Sequence, residues 1–236
     1  MMADSDFTAM REAMIREQLQ PRGIENPRVL QAMRTVARDA FVPPELHRQA
    51  YNDAPMPIGQ NQTISQPFIV ALMTQMLGLQ GDEKVLEIGT GCGYQTAILC
   101  ELADYVYTLE RYPQLADKAG ATLTNLGYSN LDIHVGDGSQ GLPDNQPFDA
   151  IIVTAAAPSI PGPLASQLDR EGGRLVVPVG NAKQQHLYIV RRYGDRFNVE
   201  KTVAVRFVPL IGRYGFKQDP RRNRKRRGDD PSAQTQ

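Results

Sequence analysis

Apolar residues recur along this chain with two rhythms, and the change from one to the other divides it. Met10, Met14 and Leu19 fall on one side of a helix predicted from about Phe7 to Leu19, which Pro21 and Gly23 then stop. Asn26-Pro27 predicts a second helix, to about Thr35, with Asn as its cap and Pro in the first helical position. The stretch from Phe41 to Gly59 holds Pro43, Pro44, Pro55 and Pro57 together with Tyr51, Met56 and Ile58. It reads as irregular backbone with apolar anchors, a packed covering segment and not a free linker. Ser65-Gln66-Pro67 opens a third helix through about Gly78, with Ile69, Leu72, Met73, Met76 and Leu77 on its stripe. Ser65 is its expected N-cap.

Beyond that helix the runs become short and β-rich. Lys84–Ile88, Tyr105–Leu109, Leu131–Val135 and Phe148–Val153 predict strands, with helical stretches Gly93–Leu102 and Pro113–Leu126 between the first three. This alternation argues for βαβ units and a parallel sheet with helices on both faces. Arg174–Val179, His186–Tyr193 and Phe197–Val208 follow as strands, the last two as an antiparallel hairpin at the sheet edge. The expected fold is therefore α/β, doubly wound, with seven mostly parallel strands and an N-terminal helical extension. Three regions are expected: a helical and Pro-rich covering segment (1–60), the α/β domain (61–216) and a disordered polar tail (217–236).

Composition changes this picture only at the tail. Hydrophobic residues make up 41% and charged residues 22% of 236, ordinary values for a globular protein. The 26 basic and 26 acidic side chains cancel. Between Lys217 and Asp230, however, seven basic residues face three acidic ones, leaving +4 on the tail and −4 before it. Two cysteines, Cys92 and Cys100, exclude a disulfide framework and a CxxC zinc site and read as packed thiols. No secretory signal and no apolar run of membrane-spanning length is present, so a cytoplasmic location is expected.

The candidate chemistry sits where the first strand of the α/β region turns into a helix, at Glu87-Ile88-Gly89-Thr90-Gly91-Cys92-Gly93-Tyr94. Glycines at alternate positions permit positive φ and close approach of a ligand to the backbone. A dinucleotide fingerprint would need glycine at 94, which is Tyr. The G-x-G-x-G spacing, with Glu87 at the strand end, suits a ligand without a pyrophosphate, and Glu87 could accept from an ammonium group. Glu110 follows Gly89 by 21 positions, close to the ~20 expected of an acid that takes ribose hydroxyls. Asp137, between Gly136 and Gly138, could accept from an adenine amino group. Three acids at the carboxyl ends of successive strands point to S-adenosyl-L-methionine (AdoMet).

At this point the sequence resembles the protein-L-isoaspartate (D-aspartate) O-methyltransferases, over roughly Met14 to Phe216. The resemblance rests on Phe41-Val42-Pro43, Tyr51-Asn52-Asp53, Gln62-Thr63-Ile64-Ser65-Gln66-Pro67, the glycine turn, Gly136-Asp137-Gly138, the 148–156 strand and Arg206-Phe207-Val208-Pro209-Leu210. The glycine turn alone marks only a class I methyltransferase. The Thr-Ile-Ser-Gln-Pro and Arg-Phe-Val-Pro-Leu segments are far more specific. The resemblance implies a Rossmann-like methyltransferase sheet. It also implies AdoMet-dependent methylation of the α-carboxylate of L-isoaspartyl residues, or the side-chain carboxylate of D-aspartyl residues, in damaged proteins. It makes Ser65 the active-site serine on the substrate carboxylate. Thr63, Glu87, Gly89, Thr90, Gly91, Gly93, Glu110, Arg111, Asp137, Gly138 and Thr154 are implied in cofactor binding. Thr63, Ile64, Ser65, Val208, Pro209 and Leu210 are implied against the substrate, and the loop Gln62–Gln66 beside both ligands. Isoaspartyl-containing proteins are the implied partners, and the chain is expected to be a monomer without a metal. Cys92 and Ser139 stand where the family commonly carries other residues.

Two other function classes are compatible with single features. The basic tail would suit a nucleic-acid methyltransferase. Against it, Thr154-Ala155-Ala156-Ala157-Pro158 replaces the Asn/Asp-Pro-Pro-aromatic motif of enzymes that methylate base amines, and no aromatic patch accompanies the tail. A non-catalytic AdoMet-binding module would leave the intact Ser65 segment without a purpose.

Overall fold

The computed structural model describes residues 4–220. Most of the expected basic tail, 221–236, lies outside the described residues. Seven strands form one sheet: β3 (Lys84–Ile88), β4 (Tyr105–Glu110), β5 (Leu131–Val135), β6 (Ala150–Val153), β7 (Glu171–Gly180), β8 (Gln185–Tyr193) and β9 (Arg196–Val205), in the order β5-β4-β3-β6-β7-β8-β9. The pairs from β5 to β7 are parallel, and β8 is antiparallel to both β7 and β9. This is the expected mostly parallel sheet with an antiparallel edge hairpin. Before it come α1 (Asp4–Met14), α2 (Pro27–Thr35), a small hairpin of β1 (Met56–Gly59) and β2 (Gln62–Ile64), and α3 (Pro67–Leu77). The helices between and after the first sheet strands are α4 (Tyr94–Cys100), α5 (Pro113–Asn125) and the short α6 (Gly162–Ser166). Among the described residues no helix is long and apolar enough to cross a membrane.

Strand alternation sorts the core into two layers. Val85, Val106, Ala150, Ile152 and Val176 join one cluster with residues of the N-terminal helices, α3 and α4. Leu86, Ile88, Leu109, Ile151, Val153, Leu175 and Val177 form the other, with Leu164, Leu168 and Leu210. Glu87 follows the same rule. It points into the α4 layer, where it is fully buried and its Oε2 accepts from Thr96 Oγ1 at 2.5 Å and Thr108 Oγ1 at 2.6 Å.

Several expected boundaries move for local reasons. The first helix passes into a wider π-type turn over Ile15–Leu19, and Asn26 caps α2 through the N–H groups of Arg28 (2.9 Å) and Val29 (3.3 Å). The end of the Pro-rich segment is ordered into β1, because Gln60 and Asn61 both take positive φ (50° and 55°), as a tight hairpin turn requires. Ser65 is not a helix cap. Gln66 holds that position without a side-chain cap, and Asp53 supplies the acceptor instead, taking Phe68 N at 3.4 Å and Gln66 Nε2 at 2.5 Å. β9 stops at Val205. The chain then crosses the sheet, and Val208–Leu210 pairs with Ala156 (Ala156 N to Val208 O and Leu210 N to Ala156 O, both 2.8 Å).

A buried cation ties the covering segment to the Ser65 loop and the start of α4. Arg38 has no exposed surface; its Nε donates to Ala50 O and its Nη2 to Ser65 O, both at 2.7 Å. Its guanidinium lies 4.8 Å from the centre of the Tyr94 ring at the start of α4, and Phe41 meets the same ring edge-on. Arg38→Met would leave the buried Ala50 carbonyl and the half-buried Ser65 carbonyl without donors and is expected to cost about 2–5 kcal/mol, read from urea unfolding. Glu87 gives a pH signature. Burial raises its pKa from 4.5 to about 8, against the opposing bonds from Thr108 and Thr96, while the Glu110 charge raises it further. The folded protein therefore holds a proton that the unfolded chain releases above its ordinary pKa. That contribution is full below pH 4.5 and is lost as pH rises to about 8. Glu87→Gln is expected to flatten this part of the stability-versus-pH curve, measured as urea midpoints across that window.

Candidate functional site

Chain order places the site. From β3 the chain winds outward through β4 to β5, then returns to β6 on the other side of β3. The carboxyl ends of β3 and β6 therefore diverge into a crevice, the usual ligand position in open α/β sheets. Its floor is the turn after β3, where Gly89, Gly91 and Gly93 take φ of 100°, 58° and 92°. Gly89 cannot be replaced without displacement: a Cβ there would collide with Thr154 Oγ1. That hydroxyl bridges β6 and β3, its one proton shared between Gly89 O (2.7 Å) and Ile88 O (3.0 Å).

Glu110, at the end of β4, supplies the fixed charge. Its Oε2 accepts Gly91 N at 2.9 Å, and its Oε1 accepts Arg111 N at 2.8 Å and Tyr112 N at 2.9 Å. Three backbone donors thus hold the carboxylate in one orientation, with lone pairs left for a ligand. It borders a cavity of ≈480 Å³ whose walls include Gly89, Gly91, Arg111, Gly138, Thr154 and Val208–Ile211. A second, open groove of ≈660 Å³ is lined by Arg22, Ser65, Gln66, Phe68 and residues 203–208. Thr63, Thr154 and Val208 line both spaces, so the two meet at these residues.

The structure separates the sequence-predicted residues into those facing these spaces and those beneath them. Glu110, Arg111, Gly89, Gly91, Gly138, Thr154 and Thr63 border the cavity. Ser65 borders the groove, and Ile64, Ser65 and Thr90 share a small void of ≈40 Å³ behind it. No hydrogen bond of the Ser65 hydroxyl is made among the described residues, while its carbonyl is held by Arg38. Pro209 and Leu210, expected on the peptide groove, instead wall the cavity, because their pairing with Ala156 draws them over the strand ends.

Two of the acids do not line this cavity. Glu87 does not reach the cavity: strand alternation turns it under the glycine turn, onto Thr96 and Thr108, and Thr108 Oγ1 lies 2.6 Å from Thr90 Oγ1. Gly93 likewise stays out of the cavity as the N-cap of α4, and a Cβ there would meet Leu123 Cδ1 at 3.1 Å. Asp137 borders an adjoining open space, shared with Arg111, Ile211 and Lys217 of the cavity wall, and its oxygens are held by protein donors. Its Oδ1 accepts from Ser139 N (3.0 Å) and Oγ (2.7 Å), and its Oδ2 from Arg213 N (2.7 Å) and Gln140 Nε2 (3.3 Å). Burial alone would raise its pKa, but these bonds outweigh it and lower it. Asp137 thus lashes the 210–216 segment across the site, and neighbouring Gly138 is the residue that faces the cavity.

Sequence reasoning missed Ile58, Gln60 and Asn61 of the small hairpin, and Tyr112, Ile211 and Lys217–Asp219, all on the cavity wall. The hairpin had a signal in the alternation of Met56 and Ile58 before Gln60-Asn61, masked by the surrounding prolines. The tail contacts had none. Burial pushes the Cys92 thiol up to about 11 and Cys100 to about 12, consistent with packed, unreactive thiols.

Comparison with known proteins agrees with this geometry. The model of the protein-L-isoaspartate(D-aspartate) O-methyltransferase family matches residues 9–215. Protein-L-isoaspartate O-methyltransferase 1 of Syntrophobacter fumaroxidans is 53% identical over 212 residues, covering 90% of this chain and 99% of its own. The protein-L-isoaspartate O-methyltransferase of Methanospirillum hungatei is 50% identical, over 89% of this chain and 96% of its own. Among solved structures, a protein-L-isoaspartate O-methyltransferase superposes with a TM-score of 0.77 at 28% identity, over 91% of this chain and 69% of that one. A Plasmodium falciparum protein assigned to the same methyltransferases, solved with S-adenosyl-L-homocysteine, shares the fold at a TM-score of 0.73 and 23% identity, over 87% and 98%. With a family model spanning most of its length and relatives at half identity along nearly all of theirs, the chain belongs to the protein-L-isoaspartate(D-aspartate) O-methyltransferase family.

Proposed function

We propose that this chain is a repair methyltransferase that moves the methyl group of AdoMet to the free carboxylate of L-isoaspartyl, and D-aspartyl, residues in damaged proteins. The observation that carries this reading is the meeting of two spaces at Thr63, Thr154 and Val208, one walled by a fixed carboxylate and one by the Ser65 hydroxyl, which has no partner among the described residues. A transfer between two substrates needs such a shared wall. The cavity fits AdoMet: ≈480 Å³ lies within the range of cofactor sites, and Cβ atoms at Gly89 or Gly91 would press on Thr154 and Ile58. Glu110 would hold the ribose hydroxyls, with Arg111 and Gly138 beside the nucleoside. Bound AdoMet supplies a methyl group activated by its sulfonium.

The chain's own residues then have a restricted task. A carboxylate acceptor is already ionised at neutral pH, so no general base is required. Ser65 donates to one acceptor oxygen and leaves the other to point through the Thr63–Thr154 junction. A single neutral donor orients the carboxylate without quenching it, which a buried cation would do. The hairpin residues Ile58 and Gln60–Thr63 exclude water from the junction, strengthening the attraction between carboxylate and methyl donor.

The test is methyl transfer from labelled AdoMet to two peptides that differ only in an L-isoaspartyl or a normal L-aspartyl linkage. Base-labile label is expected on the isoaspartyl peptide alone, and Ser65→Ala is expected to lower kcat about 10–100-fold, the worth of one hydrogen bond to a charge. Label on neither peptide, with AdoMet bound, would reject the reading. Glu110→Gln is expected to weaken AdoMet by about 10–100-fold in calorimetric titration, with the peptide KM little changed.

A further inference from the structure

Among the described residues, the open groove beside Ser65 carries two cations and no carboxylate on its walls: Arg22 from the N-terminal extension and Arg206 from the segment after β9. Arg206 is exposed and makes no ion pair among the described residues. Arg22 is built into place. Its guanidinium carbon stacks 3.4 Å from the centre of the Phe68 ring, and its Nη1 donates to Asp53 Oδ2 at 2.5 Å. Asp53 is itself fixed by Gln66 Nε2 and Phe68 N on α3. A guanidinium laid on a ring keeps its N–H groups in one plane, and only one of the five is engaged here. The remaining donors form a rigid fork at the edge of the groove, matched to a planar carboxylate. The acceptor carboxylate is not its target by design, since a tight Arg pair would neutralise the nucleophile that Ser65 orients.

We propose that Arg22, assisted by Arg206, is a specificity-determining residue: the groove selects isoaspartyl sites flanked by an acidic side chain, whose carboxylate docks on the Arg22 fork. This rests on the methyl-transfer reading above and adds a substrate preference to it. Side chains from the N-terminal extension thereby take part in choosing the substrate. Because Arg22 is partly exposed and already shares its charge with Asp53, the preference is modest and sensitive to salt.

The experiment uses C-amidated isoaspartyl peptides, identical except for Glu, Gln or Lys at the residue before or after the isoaspartyl linkage. Amidation removes the terminal carboxylate as a rival ligand. The wild-type enzyme is expected to rank them Glu, Gln, Lys, with kcat/KM falling about 2–5-fold at each step at low salt and the spread shrinking at high salt. Arg22→Gln should bring the three peptides together, and Arg22→Glu should reverse their order, with AdoMet binding measured alongside to verify the fold. Equal rates for Glu and Lys peptides in the wild type would overturn the preference, without needing any variant. A uniform loss on all peptides in Arg22→Gln would also overturn it, by assigning Arg22 to the acceptor carboxylate. Absence of methyl transfer to every peptide would remove the activity itself, and the preference with it.

Discussion

A buried arginine without a carboxylate partner holds this molecule's two halves in register. Arg38 satisfies the carbonyls of Ala50 and Ser65 and lies against Tyr94, so one side chain touches the covering segment, the serine loop and the start of the helix that follows the glycine turn. Desolvation lowers its pKa, and the smaller opposing effects of Tyr94, Cys92 and Tyr51 do not cancel that cost. Such a group tolerates little movement, because the Ala50 carbonyl it leaves would remain buried and the Ser65 carbonyl largely shielded, both without their donor. The position of Ser65 relative to the glycine turn is therefore fixed through its backbone, while its hydroxyl is left to the groove.

Three carboxylates near the crevice show how the same chemical group is directed to different tasks. Glu87 alternates into the helix layer, loses water and is held protonated between threonines below the turn. Asp137 leaves its strand among backbone donors and becomes the anchor of the 210–216 segment. Glu110, two positions beyond Thr108 on β4, ends at the cavity wall with its charge held by three N–H groups. Position along the strand and the partners nearby, not the residue type, decide which acid faces the cavity.

The path after β9 has the same consequence at larger scale. By leaving the edge of the sheet and pairing with Ala156, the Val208–Leu210 segment returns to the strand ends and divides the cavity from the groove. One segment thereby borders both spaces. The groove's far side comes from Arg22 and Phe68, so the N-terminal extension is a wall of the site as well as a cover for the core.

The strand and helix periods, the glycine spacing and the family segments were sufficient to specify the seven-stranded sheet, its antiparallel edge and the location of the glycine turn. These features are local: burial on two faces writes itself as apolar runs, and a turn that requires positive φ writes itself as glycine. Glu110 was legible for the same reason, since its distance from Gly89 is set by one βα unit. What tertiary structure alone decided are the contacts between segments distant in sequence. The withdrawal of Glu87 and Asp137 from the cavity depends on Thr96, Thr108 and Arg213, which no spacing rule connects to them. The release of Ser65 from capping depends on Asp53, and the stacked fork of Arg22 depends on Phe68, brought together only when the N-terminal extension packs on α3. A side chain's partners across the fold are set by packing, and packing is not periodic in the sequence.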